Sequence, residues 1–265
     1  MEMKNRLLKS LVLGMVVMGL AWACQPPDEL PIIPKISYNR VEFFDQAAGS
    51  DSLVLYINFE DGDGDIGLRS TEDSYPYHPF NYIIDADRRL VYFGETDYKL
   101  PFYSVPLVVS GGQFRPLEKE KLFSETDTRR PFNCEQYEVI KFNLDNTGTN
   151  TEIDTFFIQK NPNNNNIYVD FYRKVNGNYE FLDWASVFST TGCGTNFNAR
   201  FPIFDTDNLG KSLSGTLRYS MLSAGFGIVL KKDTFKLKVY IKDRALHDSN
   251  VIESPDLTLD NITLN

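Results

Sequence analysis

The chain has little of the chemistry on which most enzymes depend. Its only histidines are His78 and His247, and neither stands in a Ser/His/Asp or Cys/His arrangement. No pair among its three cysteines has CxxC spacing, which argues against a zinc site. The most glycine-rich stretch also carries acidic residues that would repel a phosphate group. These absences predict a protein that is not an enzyme.

Basic residues are also scarce. The sequence has 27 lysines and arginines against 36 aspartates and glutamates. Residues 1–23 hold three of the basic residues and one of the acidic ones, so the rest of the chain has 24 against 35, a net charge of −11. Such an acidic protein repels nucleic acid and anionic surfaces. No nucleic-acid partner is therefore expected.

No apolar run has the length of a membrane-spanning helix. The one extended run, Leu11–Ala23, follows Lys4, Arg6 and Lys9 and ends in small residues, and it is shorter than the roughly 20 residues that crossing a bilayer needs. This pattern predicts a secretory signal peptide over residues 1–23.

The end of that run points to a lipid anchor. Residues 21–24, Ala-Trp-Ala-Cys, resemble the lipobox of bacterial lipoproteins, in which cleavage leaves the cysteine as the lipid-bearing first residue. Cys24 is thus the predicted site of a covalent lipid that holds the protein on a membrane. The alternative is ordinary cleavage nearby with Cys24 free. Residues 24–35 contain four prolines, which predicts an extended tether before a single domain at 36–265.

Two further cysteines remain. In an exported protein, Cys134 and Cys193 are expected to form a disulfide bond. The alternative is two free thiols.

The pattern of apolar residues predicts an all-β protein. Helical periodicity is almost absent, and alternating runs bounded by turn residues recur along the chain. The clearest faces are Leu53, Leu55, Ile57 and Phe59 in one strand, and Phe235, Leu237, Val239 and Ile241 in another. Asn176-Gly177 between two alternating runs predicts a tight hairpin. The polar stretch 111–130 is expected to be an irregular insertion.

The stretch Phe-Glu-Asp-Gly-Asp-Gly-Asp-Ile-Gly, residues 59–67, predicts a cation site. Asp61, Asp63 and Asp65 alternate as the first oxygen ligands of a calcium loop do, and Glu72 falls at the twelfth position. The loop is not an EF-hand, because Ile66 stands where that loop needs glycine. Carboxylate oxygens suit Ca²⁺ better than a transition metal. The alternative is a solvated turn that uses Asp and Gly for its backbone angles.

A second acidic segment bears on the same site. Asp243 and Asp248 follow the strand that ends at Ile241. In an immunoglobulin-like antiparallel sandwich, this loop and the loop after Phe59 emerge at the same end, so their carboxylates are expected to meet. The alternative is that Arg244 pairs with one of these acids in a polar network without metal.

Several motifs resemble a family of exported proteins. Asp-Gly-Asp-Gly-Asp-Ile-Gly (61–67), Asn-Ala-Arg-Phe-Pro (198–202) and the segment from Val239 to Pro255 are similar to uncharacterised lipoproteins of Bacteroidetes. The resemblance implies an exported immunoglobulin-like β-sandwich with extra hairpin and loop insertions, and it brings no established activity. His247 departs from the asparagine that is usual there. Asp28 and Glu29 resemble the signal that takes such lipoproteins to the cell surface; the periplasmic face of the outer membrane is the alternative.

These features together predict a non-catalytic cell-envelope lipoprotein. We expect a binding or structural module with calcium at one end and a protein or glycan partner. The alternative is an envelope carbohydrate-active hydrolase, which predicts a cleft where Tyr75, Tyr77, Phe80 and Trp184 cluster with two facing carboxylates.

Overall fold

A computed structural model describes residues 30–46, 49–92, 97–110, 113–116, 121–124, 137–143, 151–188, 196–204 and 210–264. Pro31–Asn265 form one compact unit. Cys24, Cys134, Cys193 and residues 1–23 lie outside the described residues, so the lipidation, the disulfide bond and the signal peptide stay predictions. Among the described residues, no helix combines the length and apolarity that a bilayer crossing requires.

The described chain is built mostly of strands with three one-turn helices. The strands are β1 (Lys35–Phe44), β2 (Asp51–Asp61), β3 (Phe80–Ile84), β4 (Phe102–Ser110), β5 (Gln113–Pro116), β6 (Lys121–Ser124), β7 (Tyr137–Asn143), β8 (Thr151–Lys160), β9 (Ile167–Val175), β10 (Asn178–Leu182), β11 (Leu213–Ser223), β12 (Phe235–Ile241) and β13 (Ile252–Glu253). The helices are α1 (Trp184–Val187), α2 (Phe226–Val229) and α3 (Leu259–Ile262), and a 3₁₀ turn spans Pro162–Asn164. The all-β prediction is confirmed.

Two antiparallel sheets enclose the main core. One has the strand order β1-β2-β11 and the other has the order β10-β9-β12-β13. The alternating faces predicted for β2 and β12 both point inward, and they meet in one buried cluster with Phe171 of β9 and Trp184 of α1. Burying an apolar side chain of this size stabilises the fold by roughly 1.5–3 kcal/mol. The hydrophobic pattern therefore sets which face of each strand the sandwich buries.

The predicted hairpin is present between β9 and β10. Val175 pairs with Asn178, which leaves Asn176 and Gly177 as a two-residue turn. Both have positive φ, 51° and 87°. Asparagine and glycine adopt that conformation most easily, which explains the choice of this dipeptide.

A third sheet is inserted between β2 and β9. It has the order β5-β4-β3-β8-β7, with β6 also paired to β4. The prediction of an irregular insertion at 111–130 is wrong over β5 and β6, which pair with β4 through the backbone. Backbone pairing at the rim of a sheet needs no alternating apolar pattern, so the polar sequence did not indicate strands.

Candidate metal centre

The acidic loop begins where β2 ends. Asp61 is the last residue of the strand, and the chain then turns through residues 62–68. Gly64 has φ +63°, and a Cβ there would lie 1.9 Å from the carbonyl oxygen of Lys211. At Gly67, with φ +99°, a Cβ would lie 2.6 Å from the backbone of Ile203. The loop thus needs these two glycines for close backbone packing as well as for positive φ.

This turn brings the three predicted aspartates together. One carboxylate oxygen from each of Asp61, Asp63 and Asp65 lies within 4.8 Å of the others. Oxygen ligands of Ca²⁺ lie 2.3–2.6 Å from the ion, so ligands on opposite sides are about 5 Å apart. The three oxygens can therefore share one cation of this size.

Most oxygens of these carboxylates are buried without a hydrogen-bond partner. Asp61 is fully buried, with 0 % of its surface exposed. Both of its oxygens, and one oxygen each of Asp63 and Asp65, are buried without a hydrogen-bond partner in the described part of the chain. A buried polar group without a partner loses the free energy of hydration and recovers nothing for it. A bound cation would supply the missing interaction to the ionised carboxylates.

The pKa values show the same electrostatic problem. Burial and, to a smaller extent, the neighbouring charges of Asp63 and Asp65 together raise the pKa of Asp61 to about 7. The backbone N–H of Asp65 opposes this rise without reaching hydrogen-bond geometry. Burial and the charge of Asp243 likewise raise the pKa of Asp65 to about 6. A bound cation would reverse these shifts, because it stabilises the ionised form.

The second loop meets the first, as the sequence predicts. Ile66 pairs with Asp243 in an isolated β-bridge, and the amide of Arg244 donates to the carbonyl oxygen of Asp65 at 3.2 Å. The Asp243 carboxylate is buried and accepts hydrogen bonds from the backbone N–H and ring Nδ1 of His247, at 2.7 and 2.8 Å. Asp243 therefore adds negative charge beside the three aspartates and keeps lone pairs that can face a cation.

Two acids from the sequence analysis are engaged elsewhere. Asp248 pairs with Lys242 at 2.6 Å and is exposed. Glu72 receives both terminal nitrogens of Arg244, at 2.9 and 2.6 Å. Arg244 thus pairs with an acid, as one alternative expected, but with Glu72. Lys242 and Arg244, the two cations of the second loop, thus pair with acids outside the aspartate cluster.

Sequence reasoning did not identify the residues that brace this end of the sandwich. Arg200 donates to the carbonyl oxygens of Arg69 and Tyr77, at 3.1 and 2.7 Å. Asn250 bonds both the N–H and the C=O of Ile36, at 2.8 and 2.9 Å. A single arginine or asparagine in a loop carries no periodic signal, so only the fold shows these contacts.

The cleft expected for a hydrolase is not formed by the predicted aromatic residues. Trp184 packs in the sandwich core against Phe171 and Phe226. Phe80 belongs to a separate small cluster around Ile158 in the inserted sheet. Tyr77 lies against Arg244, 5.7 Å from ring centre to guanidinium. Among the described residues, Trp184, Phe80 and Tyr77 therefore lie in three different environments and do not line one cleft.

Comparison of this chain with protein-family models, curated proteins and solved structures finds no match. The interpretation of the site therefore depends on its own geometry.

Proposed function

We propose that this protein is a non-catalytic cell-envelope lipoprotein, a binding or structural module whose β-sandwich carries a Ca²⁺ site at one end. The observation that carries the calcium assignment is the set of buried carboxylate oxygens of Asp61, Asp63 and Asp65 without hydrogen-bond partners. Hard oxygen donors in a flexible glycine-containing loop match Ca²⁺, which accepts irregular coordination more readily than Mg²⁺. Backbone carbonyls and water would complete the coordination shell.

A cation here would act on two loops at once. Asp61, Asp63 and Asp65 belong to the loop after β2, and that loop bonds the loop after β12 through Ile66 and Arg244. Neutralising the shared negative charge therefore stabilises this whole end of the sandwich. A rigid end presents a defined surface to a partner without loss of conformational entropy on binding.

The strand order supports the proposal of an immunoglobulin-like sandwich. A three-stranded sheet of β1, β2 and β11 faces a sheet in which β10, β9, β12 and β13 follow one another. In immunoglobulin-like folds, the first, second and fifth strands share one sheet, and the third, sixth and seventh share the other. The inserted sheet has no part in this match. When β9 is matched to the third immunoglobulin strand and β10 is counted as an additional strand beside it, the two strand orders agree.

Calcium titration by isothermal calorimetry tests the metal site. The sample is the chain from Pro31 onward, the compact unit of the fold, stripped with EDTA and then dialysed. We expect one Ca²⁺ to bind per chain, with Mg²⁺ binding more weakly, and the Asp63→Ala/Asp65→Ala variant to lose binding. Asp248→Asn is the matched control and retains it. Absence of heat with the unaltered chain, or equal binding by the double variant, would contradict the proposal.

Membrane anchoring needs its own test, because it depends on Cys24 alone. We expect the full chain, expressed in a bacterium that processes lipoproteins, to incorporate labelled palmitate and to sediment with the outer membrane. Cys24→Ala abolishes the label, whereas Cys134→Ala retains it. Label on the Cys24→Ala protein would refute the assignment.

A further inference from the structure

A second site lies on the four-stranded sheet. A cleft of about 260 Å³ opens where β9, the end of β10, α1 and the segment at 196–198 come together. Five of its lining residues carry accessible aromatic or polar side chains suited to a ligand: Asp170, Phe181, Asp183, Asn196 and Asn198. Trp184 also lines the cleft but is buried.

One wall of the cleft is aromatic. Phe181 is 58 % exposed although it lies in a strand, and its ring meets Tyr172 edge to face with 5.7 Å between centroids. Lys238 covers the Tyr172 ring at 4.6 Å. The sheet thus fixes the orientation of Phe181 but leaves most of its surface in water. Such a ring is a platform that a ligand can cover at little entropic cost.

Polar groups also line the cleft, and its carboxylates can accept further hydrogen bonds. Register places Asp170 of β9 opposite Lys238 of β12, but Lys238 pairs with Glu253 at 2.9 Å. The Asp170 side chain is exposed and makes no hydrogen bond or ion pair with another described residue, and desolvation raises the pKa of its carboxyl group. Asp183 uses one oxygen to accept from Ser186. A ligand that donates hydrogen bonds would satisfy these groups.

Amide groups complete the site. Asn196 accepts from the backbone N–H of Asn198 at 3.2 Å through its side-chain oxygen, which leaves its NH₂ group as a donor. Asn198 accepts from the N–H of Val169 at 3.1 Å, so it ties this segment to β9. The cleft therefore offers both donors and acceptors next to an aromatic face.

We propose that this cleft binds a ring of a neutral saccharide. A sugar has an apolar face of C–H groups, which suits Phe181, and hydroxyls that both donate and accept, which suit Asp170, Asp183 and Asn196. The two carboxylates repel sugar acids and phosphates. The proposal rests on the proposed function as a binding module and narrows its partner to a glycan. It is independent of the cation, because the two sites share no residue.

Trp184 makes this site directly measurable. The sequence has two tryptophans, Trp22 and Trp184, so the chain from Pro31 onward has one, and it lines the cleft. Its fluorescence is followed during titration with neutral oligomers of glucose, mannose, galactose or N-acetylglucosamine, and with oligogalacturonate as the acidic control. We expect a saturable change with at least one neutral oligomer and none with the acidic one.

Two variants assign the binding to the cleft. Phe181→Ala is expected to weaken it roughly five- to tenfold, and Asp170→Asn about tenfold. Leu222→Ala and Asp260→Asn, exposed positions outside the cleft, leave it unchanged. Each titration is run in EDTA and in Ca²⁺, so failure of the metal site and failure of the cleft are distinguishable. The proposal is overturned if no neutral oligomer binds up to about 10 mM, a very weak affinity, or if both cleft variants bind like the unaltered chain.

Discussion

Asp61 occupies an environment that is unfavourable for a carboxylate without a cation. It is fully buried, it has no hydrogen-bond partner among the described residues, and Asp63 and Asp65 add like charge. A solvated turn, which is the competing interpretation of the sequence, would expose its acids to water. The burial of Asp61 therefore differs from the exposure expected of a solvated turn, and it supports the proposal of a cation site.

The raised pKa values predict an inverted pH dependence for the metal-free protein. The pKa of Asp61 rises to about 7 and that of Asp65 to about 6, from near 4 in the unfolded chain. Between these values the folded state holds protons that the unfolded state releases, so the free energy of unfolding falls as pH rises from about 4 to about 7. Denaturant titrations in EDTA across this range measure the slope.

The control for this experiment removes the two titrating groups. Asp61→Asn/Asp65→Asn is expected to lose the decrease between pH 4 and 7, because the amides do not ionise. In excess Ca²⁺ the unaltered protein is expected to lose it as well, since the ion holds both carboxylates in the charged form. The pH assignment fails if protein and variant show the same slope in EDTA.

Glu72 is predicted to stabilise the fold and not to hold the ion. Its pair with Arg244 has two nitrogen–oxygen contacts below 3 Å, and the guanidinium keeps the pKa of Glu72 below its usual range. Arg244→Ala is expected to reduce the free energy of unfolding by about 2 kcal/mol. Glu72→Gln is expected to leave the calorimetric Ca²⁺ affinity close to that of the unaltered chain; loss of binding in this variant would make Glu72 a ligand.

The loops depend on their glycines to different degrees, so replacing each glycine by alanine is expected to destabilise the fold by a different amount. At Gly67 a new Cβ would meet backbone atoms at 2.6 Å, whereas at Gly177, in the hairpin turn, it would meet nothing within 4 Å. Gly177→Ala carries only the penalty of positive φ, about 1 kcal/mol. Gly67→Ala adds a steric clash and is expected to destabilise by at least about 2 kcal/mol more. Equal losses of unfolding free energy in urea for the two variants would show that the backbone around Gly67 moves to accommodate the new Cβ at little cost.

The start of β1 is held by the side chain of Asn250, which makes the two backbone hydrogen bonds that a neighbouring strand would make. Asn250 donates to the carbonyl and accepts from the amide of Ile36. Asn250→Ala leaves both backbone groups without that partner and is expected to reduce the free energy of unfolding by about 1–3 kcal/mol. Hydrogen exchange at the Ile36 amide is expected to quicken in the same variant; unchanged exchange would mean that other contacts hold this end.

The strands that could be predicted from the sequence are those that bury one face in the core. β2 and β12 were evident because β12 and the second half of β2 bury one face, so apolar residues alternate along them. The segment at Phe197–Phe201 has apolar residues too, but the structure gives it a single bridge, from Ala199 to Ile167. Its rings fill the core from an irregular backbone. Apolar spacing alone does not separate that case from a strand.

The protein as a whole combines predicted and unforeseen parts. The sequence indicated the aspartates of the acidic loop, and the sandwich hypothesis indicated that the loop after Ile241 joins them. Within the third sheet, β5 and β6 were missed because they pair with β4 through backbone groups and have no alternating apolar pattern. The partners of Arg200, Asn250 and Glu72 were missed because they are contacts between residues distant in sequence, which no local pattern encodes.

The most direct test of the calcium site is thermal unfolding of the chain from Pro31 onward and its Asp61→Asn variant, in EDTA and in excess Ca²⁺. In EDTA the variant is expected to be at least as stable, because asparagine removes a buried charge. At a hundredfold excess over the dissociation constant, Ca²⁺ stabilises the unaltered chain by about 2.7 kcal/mol, roughly 5–10 °C in Tm, and leaves the variant unchanged. The unaltered chain is thus expected to be no more stable than the variant in EDTA and more stable than the variant in Ca²⁺. A Tm that does not respond to Ca²⁺, or a variant less stable by the same amount in both conditions, would contradict the account.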